Sequence, residues 1–205
     1  MSEVEMTTLE RIHTAAKKEF LEKGYQSASL RNIVRTLGMT TGAFYGYYKS
    51  KEELFDALVG ERYNTLMKKY KEAQMAFTRL SPEEQRDNMG EISGDCMEWM
   101  TDYAYENYDA FKLILCCSEG TKYVNMVHEM VQIEIEATHA YAEVLKSLGH
   151  SAYDIDSYLE HMLVSGMFSA YFEMIIHDIP YEKAKEYLRD LRTFYNAGWQ
   201  KIMGF

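Results

Sequence analysis

An all-α fold is what this sequence predicts. Apolar residues recur at three- and four-residue spacing with no strand-like alternation longer than a few residues, only two prolines interrupt 205 residues, and helix starts are clearly punctuated. Thr7-x-x-Glu10, Ser50-x-x-Glu53 and Ser81-Pro82-x-Glu84 each have the form of a capping box, in which the hydroxyl accepts from an early backbone N–H and the Glu reaches back. Pro82 adds the residue whose missing N–H costs nothing at a first helical position. Helices are therefore expected to begin near residues 8, 51 and 82. Gly24, Gly38, Gly120 and Gly149 follow helical stretches in the manner of left-handed C-terminal residues, and Asp178-Ile179-Pro180 breaks the last long pattern. About nine helices fit, either as one body or as a small head joined to a larger body.

The first helix sets Leu9, Ile12, Ala16 and Phe20 on one apolar face, with Lys17, Lys18 and Lys23 elsewhere as a solvated basic side. The next, Ser29 to Leu37, is expected to be capped by Ser29 and to turn Leu30, Ile33, Val34 and Leu37 inward. Gly38 supplies the positive φ of a tight turn, and Thr40 is placed to cap a short helix from Thr41 to Tyr48. Helix, glycine turn and short helix make the layout of a helix-turn-helix.

Charge sharpens this reading. The chain carries a net −10, which argues against nucleic acid until its distribution is examined. Residues 8–51 hold eight Lys/Arg against three acids, a net of +5, which leaves −15 for the rest. A basic head on an acidic body lets one end approach DNA. The beginning MSEVEMTTLE lacks the basic-then-apolar run of a signal peptide, and no apolar run approaches the roughly eighteen residues of a membrane span, so the expected compartment is the cytoplasm, with no membrane partner. Three cysteines, two of them adjacent at Cys116 and Cys117, make no disulfide framework and are read as buried thiols.

The string Gly24-Tyr25 followed by Ser29-Leu30-Arg31-Asn32-Ile33-Val34-Arg35-Thr36-Leu37-Gly38-Met39-Thr40-Thr41-Gly42-Ala43-Phe44-Tyr45-Gly46-Tyr47-Tyr48-Lys49-Ser50-Lys51-Glu52-Glu53-Leu54-Phe55 closely resembles the DNA-binding head of the tetracycline-repressor (TetR) family. The resemblance covers about a quarter of the chain; beyond it, the ending Phe194-Tyr195-Asn196-Ala197-Gly198-Trp199 is similar to C-terminal helices of some members. It implies an N-terminal three-helix domain over residues 1–55, with Thr40 to Tyr48 as recognition helix in the major groove. Residues 56–205 are then a helical domain for ligand sensing and dimerisation. Thr40, Thr41, Gly42 and Ala43 are short enough to bring the backbone close to base edges. Tyr45, Tyr47, Ser29, Arg31 and Lys51 are candidate phosphate contacts, and Arg35 is a weaker one. Phe44 and Tyr48, four apart, are assigned to the core of the head. Two departures stand out: Tyr47 replaces the histidine common before the final aromatic, and Gly46 is a second glycine. Two glycines in so short a helix cost about 1 kcal/mol each relative to alanine, so the segment is expected to be loose when free and to firm up on DNA.

In the body, Trp99, Met100, Tyr103, Phe111, Phe168 and Tyr171 are candidates for an apolar pocket wall, suited to an aromatic or cationic small-molecule effector of unknown identity; ordinary core packing is the competing reading. Leu159, Met162, Gly166 and Ala170 on one helix, with Leu191, Tyr195 and Gly198 on another, are candidates for a homodimer built as a four-helix bundle, although one protomer's core explains the same stripes. A dimer suits a palindromic operator in double-stranded DNA, since two recognition helices must reach grooves about 34–36 Å apart. Enzyme chemistry is not expected. There is no Gly-x-Ser-x-Gly, phosphate-binding glycine loop or Cys-x-x-Cys, and the single Glu136-x-x-His139 is half of a di-metal motif, so neither metal nor cofactor is called for. The resemblance implies a repressor. A small helical enzyme or carrier would leave the basic head unexplained, and a partner-binding protein that keeps the head but reads no operator would lack salt-sensitive DNA binding.

Overall fold

The computed structural model of the chain describes residues 6–150 and 155–203. Among the described residues there are nine α-helices and no strand: α1 Thr8–Ser27, α2 Leu30–Leu37, α3 Thr41–Tyr45, α4 Lys51–Thr78, α5 Pro82–Glu106, α6 Tyr108–Cys117, α7 Met126–Ser147, α8 Ser157–Ile176 and α9 Tyr181–Met203, with a 3-10 turn over Lys122–Asn125.

Local chemistry accounts for most of the ends. The boxes at Thr7/Glu10 and Ser81/Glu84 are both reciprocal. At α4 the box is modified: Ser50 accepts from the Glu53 N–H at 3.0 Å, but the Glu53 carboxylate takes the Lys49 N–H at 2.7 Å, one residue earlier than expected. Gly24 breaks α1 with φ 70 and ψ 163. Gly38 ends α2 at φ 64, with its N–H on the Arg35 carbonyl and the Met39 N–H on that of Val34, the paired bonds of a left-handed helix stop. Asp178 does the same for α8 at φ 55 without being a glycine, and Pro180 follows. Two expectations fail here. Ser29 precedes α2 but makes no side-chain cap, because its N–H is engaged by Glu19 and its hydroxyl does not reach the first turn. Leu9 is exposed, since it lies on the first turn of α1 beyond the reach of the core that buries Ile12, Ala16 and Phe20.

The chain forms two compact units that do not follow a single cut in the sequence. The first comprises residues up to Asn64 together with Asn107–Val124, so it runs past residue 55 into α4 and adds α6. Its core joins Ile12, Phe20, Ile33, Phe44, Leu54 and Phe55 to Phe111, Leu113 and Ile114 of α6. Phe20 meets Phe55 edge-on at 5.1 Å between ring centroids, and Lys17 pairs with Asp109 at 3.1 Å. The second unit holds Thr65–Glu106 and the chain from Asn125 onward, packed around Leu66, Met100, Met126, Met130, Val164, Phe168, Phe172, Ala184 and Leu188. Cys96 and Cys117 are buried as expected, but Cys116 is exposed: neighbours on one helix lie about 100° apart, so both cannot face the same core.

Candidate nucleic-acid interface and body cavity

In the head, burial and exposure divide the recognition segment residue by residue. Phe44 is fully buried and Tyr48 nearly so, which anchors the segment at both ends of one turn. The Tyr48 hydroxyl lies 2.6 Å from His13 Nε2 and ties this end to α1. Burial, helped by the charges of Lys17 and Arg62, holds the His13 imidazole below its usual range. Thr40, Thr41, Gly42 and Ala43 are all exposed, as are Tyr45 at 49 % and Tyr47 at 45 %. Thr40 accepts from the Ala43 N–H at 3.2 Å, which fixes the first turn. The α-helix stops at Tyr45, short of Tyr48. From Gly46 the chain tightens into i to i+3 bonds, Gly46 N–H to Ala43 and Tyr47 N–H to Phe44, and a Cβ on Gly46 would stand 3.2 Å from the Ala43 carbonyl oxygen.

The cations sort into those the fold uses and those it leaves exposed. Lys51 belongs to the first group. Its ammonium donates to the carbonyls of Tyr25, Gln26 and Ala28 at 2.6, 3.0 and 3.1 Å and lies 4.6 Å from the centre of the Tyr25 ring. It closes the broken end of α1 rather than pointing to an outside phosphate. Lys17, Lys18 and Lys23 are in ion pairs with Asp109, Glu22 and Glu19. Glu19 also accepts from the Ser29 N–H at 3.1 Å and from Asn32 at 3.2 Å. Burial raises its proton affinity, but these donors together hold the carboxyl below its usual range. Arg31, Arg35 and Lys49 are exposed and make no ion pair among the described residues. Lys49 was not singled out by the sequence reading; the available signal was its place in the turn between α3 and α4, where the backbone leaves no room for burial.

The second unit contains a cavity of about 120 Å³. Of the six wall residues expected, Met100, Phe168 and Tyr171 line it. The other three do not. Trp99 stacks on Tyr103 at 5.0 Å with the rings 9° apart, and Phe111 is core of the head unit. Leu191 and Tyr195, expected at a dimer contact, are on the cavity wall instead, because α9 turns that face inward over α5. Gly166 likewise faces α9, where a Cβ would meet the Tyr195 hydroxyl at 3.4 Å. Leu159 and Met162 on α8 remain exposed, Met162 at 66 %, as does Phe194 on α9 at 70 %; Ala170 is half-buried, and Gly198 has open space about its Cα.

The polar part of the wall was missed. Glu134 accepts from the Tyr70 hydroxyl at 2.5 Å and the Gln74 amide at 2.9 Å. Burial pushes its proton affinity up against these two bonds. Arg192 lies across α5, its Nη1 donating to Glu98 at 2.8 Å, and this path exists because residue 94 is glycine: a Cβ there would fall 1.6 Å from Nη2. The Tyr141 hydroxyl is buried and has no hydrogen-bond partner among the described residues. A signal for Glu134 was present, since it falls on the stripe Met130, Ala137, Tyr141 and Leu145 of α7, a carboxylate where helical spacing asks for an apolar residue. Elsewhere on α7, His139 is paired with the buried Glu160 at 2.7 Å, which gives the half-motif a partner within the fold.

With this geometry in hand, the likeness to known proteins is specific in the head. Residues 12–58 match the family model described as "Bacterial regulatory proteins, tetR family". An HTH-type transcriptional regulator of Bacillus subtilis (strain 168), YdgC, is 34% identical over 58 residues, a match covering 28% of this chain and 30% of that protein. Over nearly the whole length the fold is similar to two solved structures. PfmR, a TetR family transcriptional regulator from Thermus thermophilus, has a TM-score of 0.54 and 18% identity over 98% of this chain and 97% of that one. A member of the TetR transcriptional regulator family from Streptomyces coelicolor A3 has a TM-score of 0.56 and 15% identity over 100% and 92%. At such identities the structures speak for the fold alone, and the specific likeness lies in the head, whose helix-turn-helix is similar over residues 12–58, about a quarter of the chain, to the TetR family of bacterial regulatory proteins.

Proposed function

We propose that the chain is a ligand-responsive transcriptional repressor that acts in the cytoplasm and binds a palindromic operator as a homodimer. The observation that carries this reading is the split of the recognition segment, with Phe44 and Tyr48 held inside while every short residue between Thr40 and Ala43 faces out. In this reading Thr40, Thr41, Gly42 and Ala43 approach base edges, and Tyr45, Tyr47, Arg31 and the hydroxyl of Ser29 reach phosphates, joined by Lys49 and Arg35. Lys51 supports the interface from within. The dimer uses the exposed apolar residues Leu159, Met162 and Phe194 with Ala170 and Gly198, and the cavity takes the effector. Tyr70 and Gln74, which hold Glu134, lie on α4, the helix that begins at Lys51, so a ligand that moves Glu134 loads the helix on which the head is built. Such a ligand acts only through its different affinity for the DNA-competent and DNA-incompetent dimers.

Fluorescence anisotropy with the DNA upstream of the protein's own gene, at several salt concentrations and with non-specific competitor, tests the reading. Competitor-resistant binding by two protomers, weakening steeply with salt, is the expected result. Binding no tighter than to random DNA across a genomic selection would sink it.

A further inference from the structure

Glu134 sits on the cavity wall with nothing to balance its charge. Its Oε2 accepts from two neutral donors, Tyr70 and Gln74, and Oε1 has no partner among the described residues. The other charge on the wall is already balanced: Arg192 donates to Glu98 at 2.8 Å and has its second nitrogen 3.5 Å from the Gly90 carbonyl oxygen. The titratable neighbours of Glu134 offer no compensation. Burial and the carboxylate itself push the Tyr70 hydroxyl upward and the Cys96 thiol up to about 11, so both stay neutral. What surrounds the carboxylate is soft and apolar, with Met100, Phe168 and Tyr171 on the wall. A carboxyl group so placed either keeps its proton or waits for a cation.

We propose that the ligand of this cavity is a hydrophobic cation, a protonated amine or quaternary ammonium on an aromatic or aliphatic body, with its positive centre against Oε1 of Glu134. The aromatic faces of the wall add cation–π attraction. An acceptor on the far side of the ligand meets the Tyr141 hydroxyl, the one buried side-chain polar atom without a partner among the described residues. Glu134 and Tyr141 are seven residues apart on α7, which sets the two ends of the ligand ~10 Å apart along the helix. An anion is disfavoured because Arg192, the one cation on the wall among the described residues, is already paired. The proposal rests on reading the cavity as the effector site, and its test separates the two.

Calorimetric titration of the full-length protein with benzyltrimethylammonium, its uncharged carbon isostere neopentylbenzene, and the anion 4-phenylbutyrate decides the charge class. Wild type is expected to bind the ammonium compound at least about tenfold more tightly than the isostere, and Glu134→Gln to reduce that ratio to about one. Equal or tighter binding of the neutral or anionic compound, no binding of the ammonium compound, or a preference that survives Glu134→Gln overturns the proposal. The wild-type comparison stands even if the variant fails to fold, which thermal unfolding checks. Selective cation binding that leaves operator affinity unchanged supports the charge class and defeats the effector-site reading. A neutral or anionic compound that binds the cavity and releases DNA does the reverse.

Discussion

The head and the body use their polar side chains in opposite ways. In the head, the less exposed polar groups are saturated by the fold: Glu19 collects three donors, Lys51 three carbonyls, and Asp56 is held by Lys122 at 2.7 Å and by the Tyr123 hydroxyl. In the body, among the described residues, Glu134 leaves one oxygen unbonded and the Tyr141 hydroxyl has no partner. A surface that must meet a rigid duplex gains from fixed geometry, so its scaffold leaves little free. Open valences in a cavity are held at a cost in stability, which a ligand that bound there would offset.

That contrast is open to attack at several points. The largest effect is expected from Phe44→Ala, which removes a fully buried ring and should destabilise the head by about 3–5 kcal/mol. Hydrogen exchange should show the loss confined to the first unit; equal loss of protection in α7 and α8 would mean the two units do not hold together independently. Next, Lys51→Met leaves three carbonyls without their donor and should cost about 1–3 kcal/mol. The slope of log affinity against log salt should stay unchanged in this variant. A slope reduced by about one with full stability would return Lys51 to the phosphates. In the body the sign reverses: Tyr141→Phe removes a buried hydroxyl that has no partner among the described residues, and is expected to raise stability by about 1 kcal/mol in denaturant titration. A loss of that size would reveal a partner for the hydroxyl.

Smaller effects sharpen the picture further. Arg31→Ala and Lys49→Ala should leave the melting temperature within about 1 °C and each reduce the salt slope by about one. The imidazole of His13 titrates below its ordinary 6.5 because burial disfavours the charged form. Its contribution is therefore complete above that value and fades as pH falls through the lower folded value. The head should melt earlier at about pH 5.5 than at about pH 7.5, and His13→Gln should flatten this difference. The carboxyls of Asp56 and Glu19 lie below their ordinary 3.8 and 4.5, so their losses begin in a lower window.

Legibility in the sequence follows the same division. The caps at Thr7, Thr40 and Ser81 and the glycine stops at Gly24 and Gly38 are local events, set by residues within four positions of one another, and the spacing of Phe44 and Tyr48 on one face is equally local even though the contacts that bury them are not. Periodicity and capping chemistry report such events directly. What escaped were facts of long range. Lys51 reaches back to Tyr25, Gln26 and Ala28, α6 joins the head from beyond residue 106, and Tyr70 meets Glu134 across 64 positions. No spacing rule encodes those meetings. The stripe that holds Leu191 and Tyr195 is legible as apolar, but whether it serves the protomer's own core or a second copy is not, because periodicity gives a face without saying what it faces.

The glycine at position 94 has a consequence for how this molecule can change. It is a slot in α5 through which Arg192 passes to reach Glu98, so the charge balance of the cavity depends on the absence of a single methyl group. Gly94→Ala would set a Cβ 1.6 Å from Nη2, so the guanidinium has to leave its present path and its bond to Glu98 is expected to weaken. A single methyl group at this position is therefore enough to alter the charge balance of the cavity wall, at a place that lies outside the head unit.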